Sequence, residues 1–150
     1  MHLADFFSRD AISLDLQGAA PDEILAELVG LLRLDDAASE ALLRVLQRRE
    51  SLGSTGVGRG IAIPHCRSAV VAQLRLAYGH RRQGIEYHAI DNEPVLDFFL
   101  IVAPPLEVSN QYLPVLGKIA QFAKEPDVPG RLATLRSPDE FFALLGEKGV

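Results

Sequence analysis

Tryptophan is absent from the sequence, and cysteine and methionine occur once each. The single cysteine, Cys66, excludes an intrachain disulfide and a metal site built on a cysteine pair. No apolar stretch approaches the roughly 20 residues that a helix needs to cross a bilayer. The longest run, residues 95–105, is short and contains Asp97. No basic cluster opens the chain, so we expect no secretory signal and a cytoplasmic location.

Positive charge is also scarce, with 15 Lys and Arg against 20 Asp and Glu and a net charge of −5 at pH 7. This balance argues against nucleic acid as a main partner, because phosphate backbones bind basic surfaces. No histidine pair or acidic cluster has the spacing of a metal site, so we expect no metal and no other cofactor. The chain of 150 residues, 48% of them hydrophobic, has the composition of one ordinary globular domain spanning residues 1–150.

Strand patterns and helix patterns alternate along the chain, which predicts a single α/β domain with a mixed central β-sheet flanked by helices. Residues 79–84 are polar and glycine-rich and are expected to form an exposed connection, with His80 in solvent. The predicted strands are residues 12–16, 61–63, 74–78 and 95–102. Helices are predicted from Pro21, from Asp35 or Asp36 to about Arg49, and over about 110–124, 131–135 and 138–145. The second helix is expected to bury Ala38, Leu42, Val45 and Leu46. The helical pattern of residues 110–124 consists of Leu113, Leu116, Ile119, Ala120 and Ala123.

The most distinctive stretch, residues 49–67, holds four glycines within eight residues, followed by a short apolar run, a proline and His65. Glycines let a backbone turn tightly and bring its N–H groups close to an anion. A histidine after a strand, beside such donors, could carry a phosphoryl group. The backbone N–H groups and the hydroxyls of Ser54 and Thr55 would then spread its charge. The alternative is a flexible loop leading into a strand, with a surface histidine after it.

Other chemistries fit this stretch poorly. The nucleotide-cradling pattern requires a lysine and a following helix, and both are missing. The dinucleotide fingerprint requires a preceding strand, whereas here a strand follows. A hydrolase using Ser54 and His65 is formally possible, but the Gly-x-Ser-x-Gly elbow is absent.

Residues 53–65, Gly-Ser-Thr-Gly-Val-Gly-Arg-Gly-Ile-Ala-Ile-Pro-His, resemble the signature of enzyme IIA domains of the phosphoenolpyruvate-dependent sugar phosphotransferase system. The resemblance is to the fructose/mannitol class, which includes the nitrogen-regulatory IIA proteins. Residues 89–95, Ala-Ile-Asp-Asn-Glu-Pro-Val, resemble the next strand block of that family. The resemblance runs from about residue 12 to 145. It implies that His65 accepts a phosphoryl group from a small phosphocarrier protein, HPr or its nitrogen-branch relative.

Arg49 lies at the predicted end of the second helix, just before the glycine loop. Its guanidinium could pair bidentately with a phosphoryl group on His65, or it could stabilise the helix C-terminus. The position of an arginine in the family favours the phosphoryl-stabilising role, for which the neighbouring Arg48 could compete. Cys66 is expected to be a small buried residue without a catalytic role.

Tyr112 marks a departure from the family. Related IIA domains commonly carry a second histidine where Tyr112 stands, at the start of the helix after the long strand. A tyrosine there could donate a hydrogen bond but could not act as a base at neutral pH. We therefore treat Tyr112 as a possible secondary site and expect a regulatory protein. The alternatives are a sugar-specific IIA component that passes phosphate to a permease IIB domain, and a IIA-like binding module that passes none on.

Overall fold

Six β-strands form one mixed sheet, and five α-helices cover its two faces. The computed structural model describes all residues, 1–150. The predicted α/β class is therefore confirmed. The elements, after a short 3₁₀ turn at Leu3–Phe6, are β1 (Phe7–Ser13), α1 (Pro21–Leu31), α2 (Asp36–Ser51), β2 (Gly56–Gly58), β3 (Ile61–Ala62), β4 (His65–Arg67), β5 (Arg75–Ile85), β6 (Val95–Ala103), α3 (Tyr112–Ala123), α4 (Val128–Ala133) and α5 (Pro138–Glu147).

Strand β6 organises the sheet. The strand order is β1-β5-β6-β3-β2, and β4 also pairs with β6, next to β3 along the same edge. Strand β5 runs antiparallel to β6, whereas β3 and β4 run parallel to it. Eight of the nine residues of β6 are buried, as a nearly continuous apolar strand between two layers of helices should be.

The two faces of the sheet carry separate cores. Helices α1 and α2 cover one face, and α3, α4 and α5 cover the other. Pro21 starts α1 within its first turn, and the Asp35 carboxylate caps α2 by accepting a hydrogen bond from the N–H of Ala38 at 2.7 Å. The longest helix, α2, has 16 residues, and no helix combines the length and apolar character that crossing a bilayer requires.

Several predicted boundaries are wrong. The first strand covers Phe7–Ser13 instead of residues 12–16, although Leu16 is buried as its apolar character suggested. Strand β5 runs on to Ile85, so residues 79–84 are not a connecting loop. The short strands β2 and β4 were not predicted, because three residues do not establish a period.

The prediction that His80 is solvated is also wrong. His80 is only 6% exposed, and its register on β5 places it opposite Asp97 of β6. The Asp97 carboxylate accepts hydrogen bonds from His80 Nδ1 at 2.7 Å and from the hydroxyl of Tyr78 at 2.6 Å. Burial of these polar groups is tolerated because each of them has a partner.

Two apolar residues of the predicted helix patterns are exposed, and only Val45 was expected to be buried. Val45 of α2 is 43% exposed and Leu113 of α3 is 71% exposed, whereas Leu42 and Leu46 are buried as predicted and Ile119 is buried as well. The exposure of Leu113 matters for function because its neighbour, Tyr112, starts α3 beside the predicted acceptor histidine.

Candidate functional site

His65 is held where β3 gives way to β4. Pro64 separates the two short strands, which both pair with β6. His65 lies opposite Ile101, on the face of the sheet that α3 covers, whereas Cys66 belongs to the core under α1 and α2. Cys66 is buried, as predicted, and burial raises the pKa of its thiol to about 12. Of these neighbours, only the histidine can present a nucleophile at the α3 face.

The imidazole of His65 is oriented by the backbone two residues earlier. Its Nδ1 lies 2.5 Å from the carbonyl oxygen of Ile63. A carbonyl can only accept, so the Nδ1 of the neutral ring carries the proton and Nε2 carries the lone pair. The side chain is half-buried. His65 therefore presents one fixed nucleophilic nitrogen with partial access to solvent.

The hydroxyls of Ser54 and Thr55 both have partners. Ser54 Oγ donates to the carbonyl of Tyr87 at 2.6 Å and accepts from the N–H of Gly56 at 3.0 Å. Thr55 is buried, and its hydroxyl donates to Glu50 at 2.7 Å. Their role as hydrogen-bond donors to a phosphoryl group stays a prediction. It would require these hydroxyls to give up their present partners.

Glu50 fastens the glycine loop, and sequence reasoning missed it. Its carboxylate accepts from the backbone N–H of Thr55 at 2.7 Å, from the Thr55 hydroxyl and from the hydroxyl of Tyr87 at 3.1 Å. Burial, together with the nearby Glu50 carboxylate, raises the pKa of Tyr87. The carbonyl of Thr55 in turn accepts the N–H of Ile63 at 3.0 Å. Glu50 is thus connected to His65 by a continuous chain of hydrogen bonds.

The glycines of the loop serve close packing and unusual backbone angles. A Cβ atom on Gly56 would stand 2.6 Å from the Cβ of Ala89, closer than real side chains allow. Gly60 has a φ of +78°, in the region that favours glycine, where the chain turns from β2 into β3. These two positions explain why the loop can pack closely against Ala89 and reverse direction into β3 over so few residues.

Arg49 lies on the last turns of α2, which contacts β4. Its Nη1 donates to the carbonyl of Gly53 at 2.8 Å, just beyond the helix end. The contact holds the start of the glycine loop and does not involve a carbonyl of the helix end. The guanidinium has no carboxylate within ion-pair distance, and its positive charge acts on the hydroxyl of Tyr112. Arg49 therefore combines a contact to the glycine loop with a positive charge that no carboxylate neutralises.

Tyr112 is the first residue of α3, and its ring centroid lies 6.0 Å from that of His65. Burial raises the pKa of its hydroxyl to about 12, against the opposing effect of the positive charges of Arg67 and Arg49. The phenol stays neutral at physiological pH. Tyr112 can therefore donate a hydrogen bond beside His65, but it cannot serve there as a base.

Arg67 is the second site residue that sequence reasoning missed. Its Cζ lies 4.7 Å from the centroid of the Tyr112 ring. Its Nη1 donates to the carbonyls of Pro104 at 2.8 Å and Ser109 at 3.3 Å. The available signal was its spacing, since residues two apart on a strand share a face, but β4 was not predicted. The structure thus brings Tyr112, Arg67 and His65 together, while His88 is exposed in another loop.

Comparison with known proteins identifies the family. The profile of the family described as "Phosphoenolpyruvate-dependent sugar phosphotransferase system, EIIA 2" matches residues 5–148. The nitrogen regulatory protein of Pseudomonas aeruginosa is 28% identical over 134 residues, which cover 88% of this chain and 86% of that protein. The crystal structure of the nitrogen regulatory protein IIA-Ntr from Neisseria meningitidis has a TM-score of 0.86 at 29% identity, covering 95% of this chain and 98% of that one.

Sugar-specific proteins are similar as well. The fructose-specific EIIABC component of Bacillus subtilis is 28% identical over 98% of this chain, which spans only 23% of that protein's length. The mannitol IIA of Escherichia coli, solved in complex with phosphorylated IIB, has a TM-score of 0.73 at 19% identity, covers 94% of this chain and 99% of that one, and thus shows the same fold. The chain therefore belongs to the EIIA 2 family of the sugar phosphotransferase system, whose IIA domains are phosphotransferase components.

Proposed function

We propose that this protein is a cytoplasmic phosphocarrier that accepts a phosphoryl group on Nε2 of His65 from an HPr-like carrier. The observation that carries the proposal is the 2.5 Å contact of His65 Nδ1 with the carbonyl of Ile63. It leaves Nε2 as the only ring nitrogen with a free lone pair. A half-buried, uncharged imidazole with one fixed lone pair is suited to nucleophilic attack.

The reaction is an in-line displacement between two imidazoles. Nε2 of His65 forms a bond to phosphorus while the bond from phosphorus to the carrier's ring nitrogen breaks. The bonding electron pair stays on the carrier's nitrogen, and that ring leaves as a neutral imidazole when its other nitrogen carries a proton. The Nδ1 proton of His65 remains on its hydrogen bond to Ile63. No nucleotide and no metal enter this step.

Charge on the transferred group is compensated by Arg49, whose guanidinium lacks an acidic partner. Charge-assisted hydrogen bonds to phosphoryl oxygens are among the strong ones, and Arg can make two in parallel. Ser54 and Thr55 contribute through the loop: their backbone and hydroxyl groups could turn toward an incoming phosphoryl group by giving up the contacts to Tyr87 and Glu50. Arg49 is therefore the main phosphoryl-stabilising residue of the proposal.

The carrier would dock on exposed apolar side chains around the site. Leu113 follows Tyr112, Leu52 follows the end of α2, and Leu106 and Val108 lie in the segment that Arg67 holds; all four are at least 60% exposed. HPr-type carriers present an apolar face with positive charges, as the family resemblance implies. The net charge of −5 favours encounter with such a carrier, so the rate of acceptance should fall with added salt.

We propose a regulatory role, as in the nitrogen-regulatory relatives, because Tyr112 replaces a titratable histidine with a phenol that stays neutral. The second candidate is a sugar-specific component that passes phosphate to a permease IIB domain. It is supported by the similarity to the fructose-specific protein, which extends over 98% of this chain. The third alternative, a binding module that passes no phosphate on, would also accept on His65 but control a partner by its charge.

The test of the proposal is incubation with phosphorylated carrier, followed by mapping of the modified residue. Wild type should be labelled on His65 alone, and His65→Ala should take no label while keeping its melting temperature. Label retained on that variant, at His88 for example, would overturn the proposal. The buried His80 serves as an internal negative control, since Asp97 and the sheet cover it.

The choice between roles is tested separately at position 112. Wild type should accept phosphate but release it slowly to a IIB acceptor domain. Tyr112→His should gain onward transfer without losing acceptance, because a histidine can change protonation near neutrality. Rapid onward transfer by wild type would favour the sugar-specific role.

A further inference from the structure

Arg67 has no part in the function proposed so far. It lies two residues after His65 on β4, opposite Ala103 of β6, as His65 lies opposite Ile101. Residues two apart on a strand project from the same face, and their Cβ atoms are separated by roughly 7 Å. The guanidinium therefore arises from the strand and the face that carry the acceptor histidine.

The contacts of Arg67 join three parts of the site. Nη1 donates to the carbonyls of Pro104 and Ser109, at the two ends of the segment that leads from β6 toward α3. The guanidinium carbon also lies over the Tyr112 ring at 4.7 Å, a cation–π geometry. That ring is 6.0 Å from the ring of His65. One side chain thus fixes the start of α3 and the loop before it relative to the acceptor.

The charge of Arg67 is not neutralised. No carboxylate lies within ion-pair distance of it, although the chain carries 20 acidic residues and uses several in other ion pairs. Arg49, on the α2 side of the site, also has no carboxylate within ion-pair distance. The charges of both arginines act on Tyr112. Two unpaired guanidinium groups converging on one half-buried site in an acidic protein indicate an anion as the missing partner.

We propose that Arg67 is a positioning residue of the phosphoryl site, which holds Tyr112 and the 104–109 segment beside His65 and adds a permanent positive charge to it. This inference rests on the proposed function. Tyr112 supplies the flat surface on which the guanidinium rests. The positive potential at the site then does not depend on protonation of a side chain at position 112, because an arginine does not titrate.

The experiment is a measurement of phosphoryl transfer from phosphorylated carrier at increasing carrier concentration, with wild type, Arg67→Gln and Arg67→Lys. Arg67→Gln should lower the rate at saturating carrier about tenfold, equivalent to about 1.4 kcal/mol in the barrier, with a smaller change in KM. Arg67→Lys keeps the charge but lacks the planar group, so it should recover part of the rate. Arg82→Gln is the matched control, because Arg82 is exposed on β5 and makes no polar contact.

A second variant tests the route through the aromatic ring. Tyr112→Leu removes the surface under the guanidinium and should slow transfer as well. The double variant Arg67→Gln/Tyr112→Leu should be no slower than the slower single variant, because the two residues act together. Fully additive losses would overturn the proposal.

Two further outcomes separate this inference from the proposed function. A wild-type protein labelled on His65, with Arg67→Gln transferring at the wild-type rate, would refute the role of Arg67 alone. Equal losses for Arg67→Lys and Arg67→Gln, accompanied by equal drops in melting temperature, would refute it too, since Arg67 would then be merely structural. A wild-type protein that takes no label would refute the proposed function itself.

Discussion

Replacing Glu50 by alanine should damage both stability and phosphoryl acceptance. The Glu50 carboxylate accepts three hydrogen bonds, two from Thr55 and one from Tyr87. Thr55 is 5% exposed and Tyr87 is 1% exposed, so water cannot easily replace the lost acceptor. Hydrogen bonds to a charged group contribute roughly 1.5–3 kcal/mol each. Because Glu50 is itself only half-buried, we expect the free energy of unfolding to fall by about 3–5 kcal/mol. That is a large part of the roughly 5–15 kcal/mol that is typical for the free energy of unfolding of a native protein.

Glu50→Gln refines this prediction. Both hydroxyls bind Oε1, whereas the Thr55 N–H binds Oε2. A glutamine with its oxygen at the first position keeps the two hydroxyl contacts but turns an NH₂ group toward the backbone N–H. One bond is then lost, and the expected cost is about 1.5–3 kcal/mol, clearly below that of the alanine variant.

The free energy of unfolding is measured by urea denaturation followed by circular dichroism. Glu40→Ala is the control on the same helix, since Glu40 is exposed and makes no polar contact, and its change should lie within about 0.5 kcal/mol. Phosphoryl acceptance is measured at a temperature where every variant is folded. It should fall for Glu50→Ala, because the loop that holds Ile63, and through it His65, is released. Wild-type stability of Glu50→Ala, or equal losses for alanine and glutamine, would refute this account of the carboxylate.

Three other predictions concern single side chains. Arg49→Ala should slow phosphoryl acceptance about tenfold or more, from a charge-assisted contact of roughly 1.5–3 kcal/mol, with little change in melting temperature; a large drop in melting temperature with a normal rate would assign Arg49 a structural role only. Asp97→Ala leaves the Tyr78 hydroxyl and His80 Nδ1 without their buried acceptor, so urea denaturation should show a loss of about 3–5 kcal/mol, and a loss below about 1 kcal/mol would contradict the importance of this network. The pKa of Cys66 is raised to about 12 from 9.0, so the folded state favours the neutral thiol. The contribution of the buried neutral thiol to stability should be present at neutral pH and disappear as pH rises from about 9 toward 12. Iodoacetamide should alkylate Cys66 in the native protein at pH 9 far more slowly than in the denatured protein. Equal rates of alkylation would contradict the burial of the thiol.

The fold class and the family could be predicted from the sequence, and the acceptor role of His65 stays a prediction. The family depends on the run of residues 53–65, which resembles the signature of the family, and the fold class depends on the apolar periodicity of β6 and the long helices. The same local order placed Tyr112 at the start of α3, where the structure has it. Local information was enough for these predictions because the residues that form each pattern are close to one another in the chain.

Only the tertiary structure assigned roles to Glu50, Arg67 and His80. The partners of Glu50 include Tyr87, 37 residues away, and His80 meets Asp97 across two strands, 17 residues apart. Nothing in the sequence around His80 distinguishes a buried histidine from a solvated one, because the difference is the carboxylate that strand pairing places opposite it. Likewise, Arg67 and Tyr112 come together only because α3 packs on the face of the sheet from which the Arg67 side chain of β4 projects. Long-range pairing, which local propensity does not encode, therefore decided on which face of the sheet the predicted histidine lies and which charges surround it.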